Sequence, residues 1–257
     1  MLRSFIRNGW YENMTKFLYK IIGIFLFVLF ISGQLVMANE ETECVILLHG
    51  LARTESSLSK LEHHLKNQGY HVINLGYPSR KEKIQKLSEE TINRSINECK
   101  KVNPARIHFV THSMGGILVR YYLDVNRIDN LGRVVMLSPP NHGSEAVDKL
   151  KELFLFKWIN GPAGEQLGTD KKSVPNMLGP PYYDAGIITG DRTINPILSM
   201  LIPGKDDGKV SVKSAKLTGM KDFLVVHRAH PFIMNDKDVM NQVICFLKNG
   251  AFDNSRD

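Results

Sequence analysis

One serine stands where nucleophilic chemistry could be done. Ile107-His108-Phe109-Val110 reads as a short buried strand, and Ile117-Leu-Val-Arg-Tyr-Tyr-Leu123 reads as a helix packed on a sheet. Between them lies Thr111-His112-Ser113-Met114-Gly115, the G-x-S-x-G pattern of a nucleophile elbow with Thr in the first glycine position. A serine hydroxyl is a weak nucleophile at its free pKa and needs a base held at a fixed angle. A sharp strand-to-helix turn presents Oγ in that way. The turn also brings backbone segments close together, so small residues are needed two positions either side of the serine. Gly115 meets that need, and Gly116 lets the helix start lie close to neighbouring strands. Thr111 is tolerable where its side chain points away from the crossing backbone. The helix start also favours negative charge at the serine. A serine at such a junction can equally be a simple N-cap, so its partners matter.

A nucleophilic serine requires a base, an acid that orients the base, and donors for the oxyanion. With an elbow of this kind the order along the chain is Ser, acid, His. Asp206-Asp207-Gly208 supplies the acid, with Asp207 expected and Asp206 the runner-up; a solvated acidic turn is the alternative. His227 and His230 both follow the last apolar strand. His230 is the expected base because it lies further into the loop and Pro231-Phe232 can fix it, whereas His227 at the strand end suits a structural role. The expected oxyanion donors are the backbone N–H groups of Met114 and of Leu51, in the loop opened by His49-Gly50. His49 and His112 read as positioning residues, His63-His64 as surface, and His142 as a residue bordering a pocket.

These residues must be carried by regular elements. Cys44-Val-Ile-Leu-Leu48 is a continuous apolar run, as expected of a parallel strand buried on both faces. A helix with Leu58, Leu61 and Leu65 follows, capped by Ser56 or Ser57 and stopping at Gly69. Tyr70 to Leu75 reads as a second strand. Ile84, Leu87, Thr91, Ile92, Ser95, Ile96 and Cys99 share one face of a second helix. Arg133 to Leu137, Gly186 to Gly190 and Phe223 to Val226 read as further strands. Asp236 to Asn249 reads as a closing helix with Val239, Val243, Ile244 and Leu247 inward and Gly250 at its end. Strands alternating with helices imply βαβ units and a largely parallel sheet with helices on both faces. The alternation breaks at residues 143–186, where a single apolar helix from Ala146 to Ile159 leads into a Gly/Pro-rich stretch. A cap over a pocket is the expected role; an ordinary crossover helix with a long loop is the other reading.

On these residues the chain resembles the lipase and esterase branch of the α/β-hydrolases, in particular bacterial exported, triacylglycerol-lipase-like proteins. The resemblance is carried by Val45-Ile-Leu-Leu-His-Gly-Leu51, Thr111 to Gly116, Ser138-Pro-Pro-Asn-His-Gly-Ser144, Gly161 to Gly168, Asp207-Gly-Lys-Val-Ser-Val212 and His230-Pro-Phe-Ile-Met234. It implies an α/β-hydrolase fold with a cap insertion and a serine hydrolase acting on carboxylic esters. It implies Ser113, Asp207 and His230 as the triad, Leu51 and Met114 as oxyanion donors, and neither a metal nor an organic cofactor. Thr111 departs from the usual Gly.

Length and composition fit that picture. The 257 residues are 43% hydrophobic and 23% charged, which is ordinary for a globular chain. The formal net charge of +7 falls to +4 when residues 1–38 are set aside, too mild and scattered to indicate nucleic acid. Residues 1–38 read as a secretory signal peptide: a basic start to Lys20, an apolar run from Ile21 to Ile31, and Val36-Met37-Ala38 before the cleavage point. An uncleaved anchor is the alternative. In either case residues 39–257 form one domain on the exported side, periplasmic or secreted. There an oxidising compartment permits one disulfide among Cys44, Cys99 and Cys245, and three free thiols are the other possibility.

Three functional readings follow. The first is hydrolysis of a small-molecule or lipid ester of an apolar acyl group, with contact to a membrane surface through the cap. The second keeps the residues but works as an acyltransferase, phospholipase or thioesterase. The third is an inactive binding protein on a hydrolase fold.

Overall fold

The computed structural model describes Met14, residues 16–24 and residues 42–253, without the side chains of residues 155–157. The chain divides into two units, Met1–Glu41 and Thr42–Asp257. In the first, residues 16–24 are helical. Most of the expected signal segment, including the Ala38 junction, lies outside the described residues. Among the described residues no helix is long and apolar enough to cross a membrane.

The second unit is a six-stranded, wholly parallel sheet in the order β2-β1-β3-β4-β5-β6. The strands are β1 (Glu43–Leu48), β2 (His71–Asn74), β3 (Arg106–His112), β4 (Leu131–Leu137), β5 (Ala185–Gly190) and β6 (Asp222–Val226). Between them run α1 (Ser59–Lys66), α2 (Ile84–Lys100), α3 (Met114–Val125), α4 (Glu145–Leu150), α5 (Phe154–Glu165), α6 (Val174–Met177), α7 (Pro196–Ser199) and α8 (Val212–Ala215), and α9 (Lys237–Asn249) closes the unit.

The apolar runs build two cores because successive side chains leave a strand on opposite faces. Cys44, Ile46 and Leu48 of β1 join Ile107, Phe109 and Met136 beneath α2 and α3. Val45 and Leu47 join Val110, Val135 and Ile188 beneath α1 and α9. The face expected on α2 is the buried one throughout. In α9, Asp236 caps the amides of Asp238 and Val239, and Gly250 ends the helix in the left-handed conformation, at φ 74°.

A disulfide joins Cys44 of β1 to Cys99 of α2, with Cα atoms 5.9 Å apart, and Cys245 is a free thiol. The one-bridge possibility therefore holds, and the three-thiol possibility does not.

Two local expectations are corrected. A 3-10 turn (Glu55–Leu58) precedes α1, and neither Ser56 nor Ser57 caps it: the Ser57 hydroxyl donates backwards to the Thr54 carbonyl at 2.7 Å. The single apolar helix from Ala146 to Ile159 is two helices. It ends at Leu150, and the chain restarts after Leu153, which is extended at ψ 129°. The α5 helix bends again at Gly161, at φ 63°. A Cβ at Gly161 would lie 1.9 Å from the Arg80 carbonyl oxygen, so only glycine fits there. Pro162 then resumes the helix, as proline does in a first turn.

Candidate active site

Ser113 occupies the turn between β3 and α3, at φ 54° and ψ −124°. That conformation is sparsely populated for a residue with a side chain, and it persists only where the surroundings fix it. They do so on several sides. The Ser113 N–H donates to the Leu137 carbonyl at 2.8 Å, and Gly116 N–H returns to the Ser113 carbonyl at 2.9 Å. The small residues are required by close approach: a Cβ at Gly115 would stand 2.4 Å from the Leu48 carbonyl oxygen, and one at Gly116 would stand 3.1 Å from Pro139. Thr111 is fully buried, with its hydroxyl 3.4 Å from the Val135 carbonyl of β4 and 3.4 Å from where a Cβ on Gly116 would stand, so its side chain fits against that glycine.

The expected acid and base converge on this serine. His230 Nε2 is 3.1 Å from Ser113 Oγ, and His230 Nδ1 is 2.8 Å from Asp207 Oδ2. The Asp207 carboxylate accepts a hydrogen bond from Nδ1–H, which leaves Nε2 without a proton and able to accept one from the serine. Asp207 is fully buried. Burial alone would raise its pKa, but the His230 charge and hydrogen bond and the Val210 amide outweigh that and hold the carboxyl below its usual value. Its Oδ1 accepts from the amides of Lys209 and Val210 at 3.0 and 2.9 Å, and its carbonyl accepts from the His230 amide at 2.9 Å. The loops after β5 and β6 are thereby tied to each other.

The two runners-up lie elsewhere. Asp206 accepts from the Gly208 amide at 2.7 Å and from the Ser199 hydroxyl at 2.6 Å, a turn-building role. His227 is exposed and pairs with Asp191 at 3.0 Å. His142 is also exposed and contacts Asn176, away from the serine. The two expected positioning histidines are buried. His112 Nε2 donates to the His230 carbonyl at 3.1 Å, and burial followed by the nearby His230 charge pushes its pKa well down, so it stays neutral. His49 stacks on Tyr77 with ring centroids 3.9 Å apart, and its Nδ1 donates to the Gly50 carbonyl at 2.9 Å. The Tyr77 hydroxyl donates to the His49 carbonyl. These contacts anchor the loop that carries Leu51.

Ser113, His230, Gly50 and Leu51 border one cavity of about 280 Å³. Val147, Leu150, Ile159, Leu167 and Leu198 supply much of its wall. Met114 opens α3, so its amide has no intrahelical acceptor. Of the expected apolar segment, Leu150 and Ile159 face this cavity, while Phe154 and Trp158 are 82% and 71% exposed. Two bordering residues had no role in the sequence reading: Arg53 and Lys209. The available signal was their position, two residues past Leu51 and two past Asp207. Among the described residues no cluster of His, Cys, Asp and Glu could hold a metal ion.

No family model and no curated protein sequence matches the chain. Solved structures do. A lipase of Bacillus licheniformis in its mature form aligns with a TM-score of 0.64 and 18% identity, over 82% of this chain and 93% of the lipase. The phospholipase PlaB from Legionella pneumophila aligns at 0.58 and 18%, over 81% of this chain and 63% of PlaB. A metagenomic carboxyl esterase aligns at 0.55 and 15%, over 76% and 66%. With the parallel sheet and the strained serine between β3 and α3, these likenesses show that the chain has the α/β-hydrolase fold.

Proposed function

We propose that this protein hydrolyses carboxylic esters of apolar acyl groups through Ser113, His230 and Asp207. The observation that carries the reading is the unbroken hydrogen-bond chain from Ser113 Oγ through the His230 ring to Asp207. His230 takes the Ser113 proton as Oγ bonds to the ester carbonyl carbon. The amides of Met114 and Leu51 hold the oxyanion. Collapse breaks the bond to the alcohol oxygen, which leaves with the proton from His230. Water, deprotonated by His230 in turn, then attacks the acyl-enzyme; the bond to Ser113 Oγ breaks, His230 returns the proton to Oγ, and the acid leaves. Asp207 stays ionised and stabilises the imidazolium. The apolar wall of the cavity suits the acyl chain. The same groups serve acyl transfer, a phospholipid or a thioester where the acceptor or donor differs.

Residues 143–186 act as a cap in this reading. Exposed Phe154 and Trp158 in the cap, with exposed Ile197 and Met200 on and next to α7, supply an apolar surface suited to a lipid. The Cys44–Cys99 bond fits an oxidising, exported location.

The test is hydrolysis of p-nitrophenyl esters of graded acyl length by the purified protein, beside Ser113→Ala, Asp207→Asn and His230→Ala. Loss of turnover in all three, with fluorophosphonate labelling of Ser113 in the wild type, supports the reading. A wild type that cleaves no ester and is not labelled overturns it in favour of a binding protein. Labelling without turnover keeps the nucleophile and rejects the substrate.

A further inference from the structure

Two cations share the cavity of Ser113. Arg53 comes from the loop after β1 and Lys209 from the loop after β5, and both border the 280 Å³ space. Among the described residues neither has an ion-pair partner. Lys209 is open to solvent at the mouth, yet the protein around it and the Arg53 charge lower its pKa, with Asp207 opposing in part. Both cations also act on buried His112, which places their charge beside the elbow. Asp207, the carboxylate that acts on Lys209, is already engaged by His230 and two amides.

The positive charge continues outward. Arg53 also borders a neighbouring cavity of about 580 Å³, where Arg80 and Lys81 join it. Like charges gathered in a concave site repel one another and draw in an anion. The apolar wall comes from other elements, α4, α5 and α7 among them. Acyl chain and anion are thus received by different parts of the site. Four cationic groups suit the multiple oxygens and charge of a phosphate better than a single carboxylate.

We propose that Arg53 and Lys209 are specificity residues that bind a phosphate or phosphodiester on the alcohol portion of the ester, so that the preferred substrates are acyl esters of phosphorylated alcohols. This rests on the esterase reading above and names its substrate class. The phosphate can belong to a lipid head group or to a soluble phosphorylated alcohol.

The experiment compares esters matched in acyl chain, one member of each pair carrying a phosphate or a phosphodiester. Hexanoylglycerol against hexanoylglycerol phosphate forms the soluble pair. A long-chain monoacylglycerol against the lysophosphatidylglycerol of the same chain forms the lipid pair. The wild type should favour the phosphorylated member by about tenfold or more in kcat/KM, mainly through KM. Arg53→Gln with Lys209→Gln should bring the ratio near one, Lys209→Glu should reverse it, and salt should shrink it in the wild type. A preference in the soluble pair assigns the phosphorylated alcohol itself, and one confined to the lipid pair assigns a head group. A wild-type ratio of one, or a ratio unchanged in the double variant, overturns the proposal. Binding of hexanoylglycerol phosphate to Ser113→Ala by equilibrium dialysis separates the two readings. Binding that needs Arg53 and Lys209, in a protein that cleaves no ester, keeps the subsite and rejects the esterase. Binding indifferent to both residues rejects the subsite.

Discussion

The turn at Ser113 and the segment from Leu150 to Ile159 border one cavity and follow opposite physical rules. At the turn, Thr111, His112, Met114 and Gly115 are buried, and a strained serine is held by contacts with three strands. In the segment, Leu153, Phe154 and Trp158 project from the surface. The turn holds a position at the cost of strain, which tight packing can bear. Leu153, Phe154 and Trp158 have little packing to lose, so these side chains can suit what approaches the cavity. In the proposed reading, one region fixes where the reacting atoms stand and the other governs what reaches them.

That contrast can be broken experimentally. The largest effect should come from the acid. Asp207→Asn should lower kcat for an ester by about 10⁴-fold through loss of the His230 orientation, while Asp206→Asn should cost less than about tenfold. Equal losses in steady-state assays would show that the two neighbours do not divide their roles as described. Gly115→Ala comes next. Its Cβ must displace the Leu48 carbonyl, so unfolding by urea should show a loss of about 1–3 kcal/mol, and kcat should drop about 10²-fold as the serine shifts. A fully active, fully stable Gly115→Ala protein would mean that the turn is not rigid.

Removing the disulfide with Cys44→Ala and Cys99→Ala should cost about 2–4 kcal/mol, since the bridge closes a loop over a sequence separation of 55. Thermal melts with and without reductant check this. The strand beneath the elbow carries its own pH dependence. Burial, followed by the charges of Arg133 and Arg106, lowers the His108 pKa to about 4. The unfolded chain takes up this proton first as pH falls. The stability is therefore complete above about pH 6.5 and declines toward pH 4, by up to about 3 kcal/mol. His108→Asn should lose less stability than the wild type between pH 7 and pH 4.5 in urea titrations; an equal loss would assign the acid sensitivity elsewhere.

The smallest folding effect belongs to the rim of the proposed cap. Phe154→Ser with Ile197→Ser should alter stability by less than about 0.5 kcal/mol. The same pair should lower the rate on micellar ester relative to dissolved ester by about tenfold. Identical ratios in wild type and variant would remove the surface role from the rim.

Much of this was legible in the chain because it depends on local chemistry. Continuous apolar runs such as Cys44 to Leu48 fill strands covered on both sides, and the spacing from Ile84 to Cys99 is helical in any context. The residue types from Thr111 to Gly116 report a tight turn because larger side chains would strike a neighbouring carbonyl. The split of the apolar segment was not legible, because a hydrophobic stripe does not record where Leu153 becomes extended or that Gly161 must pass within contact of Arg80.

Local residue chemistry specifies the alternating elements, the buried faces, the turn at Ser113, and a short list of acids and bases in the right order. Assembly of the sheet chooses among them. Asp206 and Asp207 are adjacent and chemically identical, and their difference arises from which carboxylate the loop after β5 turns toward His230 in the β6–α9 loop. Cys44 could pair with Cys99 because β1 packs beneath α2. Arg53 and Lys209, 156 positions apart in the chain, meet because β1 and β5 end at the same edge of one parallel sheet. Local sequence sets what each residue can do, whereas distances between remote loops exist only once the sheet is assembled.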